Sequence, residues 1–203
     1  SDLGLKQLRA IGYKGSDING RYGVQLNSQL NYPLGGKQRV IAKVAATQRF
    51  PNVAEQFGYY LFNSLDLYDY LGNPKLKNEQ SLLLELAYAV QTDHISLKFQ
   101  AYAYHFQNYI LGLNTTYDAM TFGALGVRSY SNIDNASITG IELEAQIKIT
   151  KKWFAKSQNS YTHGVDNLDR PLPLIPSGKS INQLTYKGSL FSGNIRFTHS
   201  FAQ

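Results

Sequence analysis

No cysteine occurs in this chain, which excludes a structural disulfide and a thiolate metal site alike. Nor does any stretch approach the roughly 18 uninterrupted apolar residues of a spanning helix. That absence leaves membrane strands open, because half of each such strand faces a wet lumen. Charged residues are only 17% of the 203, yet hydrophobic residues reach 43%, so the chain is not a disordered one. One Trp and one Met stand against 15 Tyr and 10 Phe, and tyrosine suits surfaces that are half wet and half apolar. The net charge of +6 is not gathered on one face: Lys6, Arg9, Lys43, Arg49, Lys98, Lys148 and Arg196 are scattered, with Lys75/Lys77 and Lys151/Lys152 the densest groups. No nucleic-acid partner is therefore expected. Gly-x-Ser-x-Gly, phosphate-loop and dinucleotide motifs are all missing. His94, His105, His163 and His199 fall at no ligand spacing, so neither a metal nor another cofactor is expected. Ser1-Asp2-Leu3 lacks the start of a signal peptide, so an exported protein would appear here as a mature piece.

What the chain has instead is a period of two. Ile141, Leu143, Ala145, Ile147 and Ile149 alternate with Glu142, Glu144, Gln146, Lys148 and Thr150. Successive side chains of an extended strand point to opposite faces, so this segment has one apolar and one polar side. The same alternation sets Leu82, Leu84, Leu86, Tyr88 and Val90 against Ser81, Glu85 and Gln91. It sets Ile95, Leu97, Phe99 and Ala101 against Ser96, Lys98, Gln100 and Tyr102. Strands are expected over 21–32, 39–49, 79–92, 95–108, 137–150 (starting as early as 127), 153–163, 180–186 and 191–201, with a weakly patterned ninth at 3–13. No helix is expected.

Short turns at 33–37, 93–94, 151–152 and 187–189 alternate with long loops near 50–78, 109–126 and 164–178. Strands of roughly ten residues exceed the soluble average of about five or six and suit tilted membrane strands. Residues 1–203 are thus expected to be one all-β piece: long antiparallel up-and-down strands forming a segment of a transmembrane β-barrel, with the long loops extracellular. A soluble β-sandwich also alternates and stays open as a rival.

Four segments carry a family resemblance. Arg49-Phe50-Pro51-Asn52-Val53-Ala54-Glu55 resembles the Arg-x-Pro-x-x-x-Glu segment that follows a barrel strand in TonB-dependent outer-membrane receptors. Gly72-Asn73-Pro74-Lys75-Leu76-Lys77-Asn78-Glu79 resembles their Gly-Asn-Pro-x-Leu-x-x-Glu segment. Tyr130-Ser131-Asn132, Ala136 and Gly140-Ile141-Glu142 resemble their Tyr-x-Asn…Ala…Gly-x-Glu strand. Pro171-Leu172-Pro173-Leu174-Ile175-Pro176 resembles their late proline-rich loop.

The resemblance implies the outer membrane of a Gram-negative bacterium, a barrel of about 22 strands of which these residues are a part, and active import of a scarce nutrient. The cargo would be a ferric siderophore, another metal chelate, a vitamin or a glycan. Outer-membrane lipid, a plug domain and TonB would be the partners, though neither the plug nor the TonB-engaging box lies in this stretch. A partial wall with open edges is expected to aggregate in plain buffer. Loop aromatics Tyr59, Tyr60, Tyr68 and Tyr70 are candidate ligand contacts or members of an interfacial belt. Lumen-facing Arg49, Glu85, Glu142 and Glu144 are candidate plug contacts. Glu142 and Glu144 share a face, but solvated or salt-bridged carboxylates fit better there than acid–base catalysis, and no enzyme is expected. A passive porin-type channel and a soluble carbohydrate-binding β-sandwich remain as alternatives.

Overall fold

A computed structural model describes residues 6, 9, 10, 12, 13 and 22–201. The strands are β1 (Leu26–Gly35), β2 (Gln38–Arg49), β3 (Leu61–Asn63), β4 (Tyr68–Leu71), β5 (Glu79–Gln91), β6 (Ile95–Asn114), β7 (Val127–Lys148), β8 (Trp153–Asp166), β9 (Lys179–Lys187) and β10 (Ser192–Ser200). A short helix, α1 (Val53–Phe57), lies between β2 and β3. Hydrogen-bonded neighbours follow the order β1-β2-β5-β6-β7-β8-β9-β10. β3 pairs with β4, and β4 also lies parallel to the start of β7. Nearly all of the regular structure among the described residues is antiparallel sheet, as the alternation implied. The segment 50–78, read as irregular, holds α1, β3 and β4. β6 continues past Asn108 to Asn114, and β8 past His163 to Asp166. The weak strand expected at 3–13 lies largely outside the described residues, and its described Lys6, Arg9 and Ala10 are helical instead; the strand expected over 21–32 begins only at Leu26 and runs on to Gly35.

The chain divides into two compact units, 1–25 with 47–81 and 106–135, and 26–46 with 82–105 and 136–203. The second unit carries the clean alternation. Its buried side chains are small or few: Ala45, Leu83, Ala87, Ala89, Ala136, Leu172 and the Asp166 carboxylate. Its large apolar side chains point to open space, with Leu84 53%, Ile141 49% and Ile147 44% exposed, joined by Phe99, Leu184, Ile195 and Phe197. An apolar face this extensive and uncovered needs an apolar medium. Among the described residues no second layer seals it, which removes the support for a sandwich.

Two polar devices break the pattern and explain themselves. On the apolar face, Ser157, Asn159, Ser180 and Asn182 close a ring of hydrogen bonds. Ser157 Oγ donates to Asn182 Oδ1 at 2.8 Å, and Asn182 Nδ2 to Ser180 Oγ at 3.0 Å. Ser180 Oγ donates to Asn159 Oδ1 at 2.7 Å, and Asn159 Nδ2 back to Ser157 Oγ at 2.9 Å. Polar groups that satisfy one another lose little in a dry medium. On the polar face, Tyr102 of β6 lies across Gly140 of β7 and its hydroxyl meets Thr162 Oγ1 of β8 at 2.9 Å. A Cβ at residue 140 would overlap the Tyr102 ring, so the glycine makes room for the tyrosine.

Two of the short turns are built alike. Thr92 Oγ1 accepts the N–H groups of His94 (3.3 Å) and Ile95 (2.9 Å); Thr150 Oγ1 accepts those of Lys152 (3.2 Å) and Trp153 (3.1 Å). Beside these turns, Trp153 stacks on Tyr186 at 5.0 Å and Tyr186 on Phe191 at 6.3 Å. Aromatic clusters of this kind form the girdle where a barrel wall meets the membrane surface.

Candidate ligand-binding site

The first unit is a stitched set of loops around a small core. Asn52-Val53-Ala54-Glu55 is a capping box: Asn52 Oδ1 accepts the Glu55 N–H at 2.8 Å and Glu55 Oε2 accepts the Asn52 N–H at 2.7 Å. This creates α1 where strand periodicity shows nothing. The Arg49 guanidinium donates to both Glu55 oxygens, at 3.0 and 2.9 Å, and to both Glu79 oxygens, at 3.2 Å each. Glu79 also accepts the Ile110 N–H at 3.0 Å. One cation therefore ties α1 to the ends of β2 and β5 with charge-assisted bonds.

The loop's exit returns to its root. Gly72 N–H donates to Gly58 O, and Asn73 N–H to Glu55 O, both at 2.8 Å. A Cβ at residue 72 would stand 2.6 Å from the backbone of Gln56, Phe57 and Gly58, so only glycine permits this closure. Asn73 Oδ1 accepts the Lys75 N–H at 3.0 Å, and its amide donates to Tyr130 O at 3.1 Å. Asn132 accepts the Lys77 N–H at 2.8 Å and donates to Asn108 O at 2.7 Å. The Gly-Asn-Pro and Tyr-x-Asn segments thus hold loops to strands.

Between root and exit stands the β3–β4 hairpin. Asp66 accepts the Tyr70 hydroxyl at 2.6 Å and Arg128 Nη1 at 2.7 Å. The Arg128 guanidinium lies 3.9 Å over the Tyr68 ring. Asp69 is fully buried, and its Oδ2 accepts the N–H groups of Met120 and Thr121, both at 2.8 Å. Burial works to raise the Asp69 pKa, but the Thr121 and Met120 donors outweigh it and hold the carboxyl below its usual value. The 115–126 loop is further fixed by Leu125 N–H on Leu67 O at 2.7 Å.

This framework borders a half-open cavity of about 460 Å³ lined by Tyr59, Tyr60, Leu71, Asn73, Tyr117 and Ser129 among others. That volume is in the range of small-molecule sites. The Tyr59 and Tyr60 rings meet edge to face at 5.0 Å, and Tyr60 takes a left-handed φ of 50°. A non-glycine residue held there costs of order 1–3 kcal/mol and marks a side chain placed by its surroundings. Burial raises the Tyr60 pKa, with Tyr59, Tyr117, Asp118 and Asp69 adding to it, so the phenol stays a neutral donor.

The candidates from sequence are distributed accordingly. Tyr59 and Tyr60 line the cavity; Tyr68 lies beneath Arg128, and Tyr70 is buried with its ring 5.0 Å from Tyr130. Arg49 is held by Glu55 and Glu79. Glu144 pairs with Lys156 at 3.0 Å, and Glu142 and Glu144 border a depression of about 270 Å³ with Lys179 and Gln158. Glu85 is half-buried on β5. Tyr117 and Ser129 were not singled out from sequence; the signal available was a tyrosine in the second long loop.

A model of the "TonB dependent receptor-like, beta-barrel" family matches residues 4–200. Among solved structures, the copper transporter OprC superposes with a TM-score of 0.69 at 22% identity, over 85% of this chain and 25% of its own. The siderophore receptor PirA from Acinetobacter baumannii gives 0.65 at 19%, over 86% and 28%. An R480A mutant of the ferric enterobactin receptor PfeA from Pseudomonas aeruginosa, in complex with enterobactin, gives 0.62 at 18%, over 80% and 25%. At these identities the likeness is one of fold, and the chain spans about a quarter of each structure's length. No curated protein matches.

Proposed function

Because the chain belongs to the TonB-dependent receptor-like β-barrel family, we propose that it supplies wall and ligand-facing loops to an outer-membrane receptor for active nutrient uptake. The cargo is a ferric siderophore, another metal chelate, a vitamin or a glycan. The observation that carries this reading is the pairing of two surfaces. One is an open apolar face suited to lipid; the other is a tyrosine cavity framed by loops that hydrogen bonds hold in place. The long loops face outward and the short turns the periplasm. Tyr59, Tyr60 and Tyr117 grip the cargo, while Tyr68 and Tyr70 hold the hairpin. Glu85, Glu142 and Glu144 meet a plug domain on the lumen side; Arg49 serves the loop root. Binding and release are its chemistry, with no covalent step.

Uptake by Gram-negative cells carrying the intact receptor tests this. Transport of a radiolabelled ferric chelate that stops when the proton gradient is collapsed, or when TonB is deleted, supports active import. Transport that persists under both treatments assigns the wall to a passive porin-type channel instead.

A further inference from the structure

The hydrogen-bonded ring on the apolar face of β8 and β9 stands where lipid offers it nothing. Register sets Ala145, Ser157, Asn182 and Phe197 in one row across four strands, and Leu143, Asn159, Ser180 and His199 in the next. Ser157 and Asn159 lie four and six residues along β8 from Trp153 of the aromatic girdle. At about 3.3 Å per residue and a tilt of about 40°, the ring is roughly 10–15 Å from the girdle, near the middle of an apolar band about 25 Å tall. Acyl tails at that depth carry neither donor nor acceptor.

The ring leaves donors over. Each serine hydroxyl donates once and accepts once, but each asparagine amide donates only one of its two N–H groups within it. Among the described residues the second N–H of Asn159 and of Asn182 has no partner. Each amide oxygen also keeps an unused lone pair. An amide N–H left bare in hydrocarbon is costly, so this face suits a neighbour that brings acceptors to mid-membrane.

The symmetry of the ring points to the neighbour. A half-turn about the normal to the wall exchanges Ser157 with Ser180 and Asn159 with Asn182, and the bonds repeat: 2.8 and 2.7 Å from serine to asparagine, 3.0 and 2.9 Å on the return. Spare donors and spare acceptors are equal in number, as a surface that pairs with itself requires. A strand tilt of about 40° sets Asn159 over Asn182 along the membrane normal. A two-fold axis along that normal then brings each asparagine opposite its own counterpart, amide to carbonyl both ways. The same operation carries Phe197 of one copy toward an open depression of about 370 Å³ on the other, lined by Ala155, Ser157 and Leu184 among others.

We infer that β7–β10 present a lipid-buried docking face for a second copy of the receptor, joined through Asn159 and Asn182 of each copy. The inference goes beyond nutrient uptake and is independent of the cargo; it rests on this face meeting lipid.

The test is energy transfer between donor- and acceptor-labelled copies of the intact receptor in phosphatidylethanolamine–phosphatidylglycerol vesicles, followed as lipid dilutes the protein. Transfer well above chance collision is expected. Polar bonds between membrane segments contribute about threefold each to association, so Asn159→Leu with Asn182→Leu, which removes four, should weaken it about tenfold or more. Leucine suits lipid, so this double variant should refold into the vesicles at least as well as the parent. Asn182→Cys should oxidise to a covalent pair, held in place by the Asn159 contact, while Leu84→Cys on β5 of the same apolar face should not. Transfer at the chance level, undiminished association of the double variant, or equal cross-linking at 84 and 182 overturns the inference. Poorer refolding of the double variant assigns the ring to holding β8 on β9 and overturns it as well.

Discussion

Removing the Arg49 guanidinium should open the root of the 50–78 loop without unfolding the wall. Arg49→Ala leaves the Glu55 and Glu79 carboxylates facing each other, both buried, with no cation between them. Breaking a fully buried pair this way costs about 3–5 kcal/mol. The Arg49 side chain is itself 43% exposed, so water screens part of that cost. A discounted loss of about 2–3 kcal/mol in local stability follows. It multiplies the open population of the loop roughly 30- to 150-fold, and cleavage by a dilute protease follows that population. Arg49→Lys keeps the charge but loses the fork that reaches both carboxylates, and should raise cleavage about threefold to tenfold. Much of the damage is uncompensated charge, so Arg49→Met with Glu55→Gln and Glu79→Gln should cleave more slowly than Arg49→Ala alone. The assay is limited proteolysis of the intact receptor in detergent, with cleavage between 52 and 66 mapped by mass spectrometry. An Arg49→Ala rate within about twofold of the parent would refute the clamp.

Other perturbations reach other parts of the chain. Gly140→Ala should drive a methyl into Tyr102 and cost about 1–3 kcal/mol, read as a lower temperature of heat-modified gel mobility. Adding Tyr102→Ala to it should relieve the clash, and a double variant no more stable than the single would contradict this packing. Leu84→Lys, in mid-strand on the open face, should cost about 2–4 kcal/mol in refolding into lipid vesicles, as for charges at a bilayer midplane. A neutral effect would place that face away from lipid. Asp69 has a depressed folded pKa, so its contribution is fully present above the usual carboxylate value of about 3.9 and is lost as pH falls through the folded value. Hydrogen exchange at Met120 and Thr121 should therefore speed up relative to other amides only in strong acid, and Asp69→Ala should show fast exchange already at pH 7; no difference between parent and variant would refute the anchor.

The wall was legible because its alternation survives wherever one face is open. It fades where apolar residues follow one another. Tyr109-Ile110-Leu111-Gly112-Leu113 reads as a loop, yet it belongs to the end of β6: Ile110 is buried and Gly112 lies under the Tyr70 ring. An unbroken apolar run with a glycine in it carries no period-two signature. The helix α1 escaped notice because one capping box, not a run of apolar residues, makes it. The loop tyrosines look alike in sequence but diverge in space. Tyr59 and Tyr60 face the cavity, while Tyr70 turns to Asp66 in its own hairpin and packs against Tyr130 of β7. Tyr117 joins the cavity from 57 positions beyond Tyr60, held there by the Asp69 anchor, and no local pattern records such a contact.

The measurement that bears most directly on the account is a scan of single spin-labelled cysteines along 141–148 in the receptor embedded in vesicles; this segment has no native cysteine to remove. Labels at 141, 143, 145 and 147 should relax with lipid-soluble oxygen and ignore a water-soluble nickel chelate, while 142, 144, 146 and 148 should show the reverse. Equal access to both reagents at odd and even positions, or shielding of the odd positions from both, would contradict a wall that meets lipid.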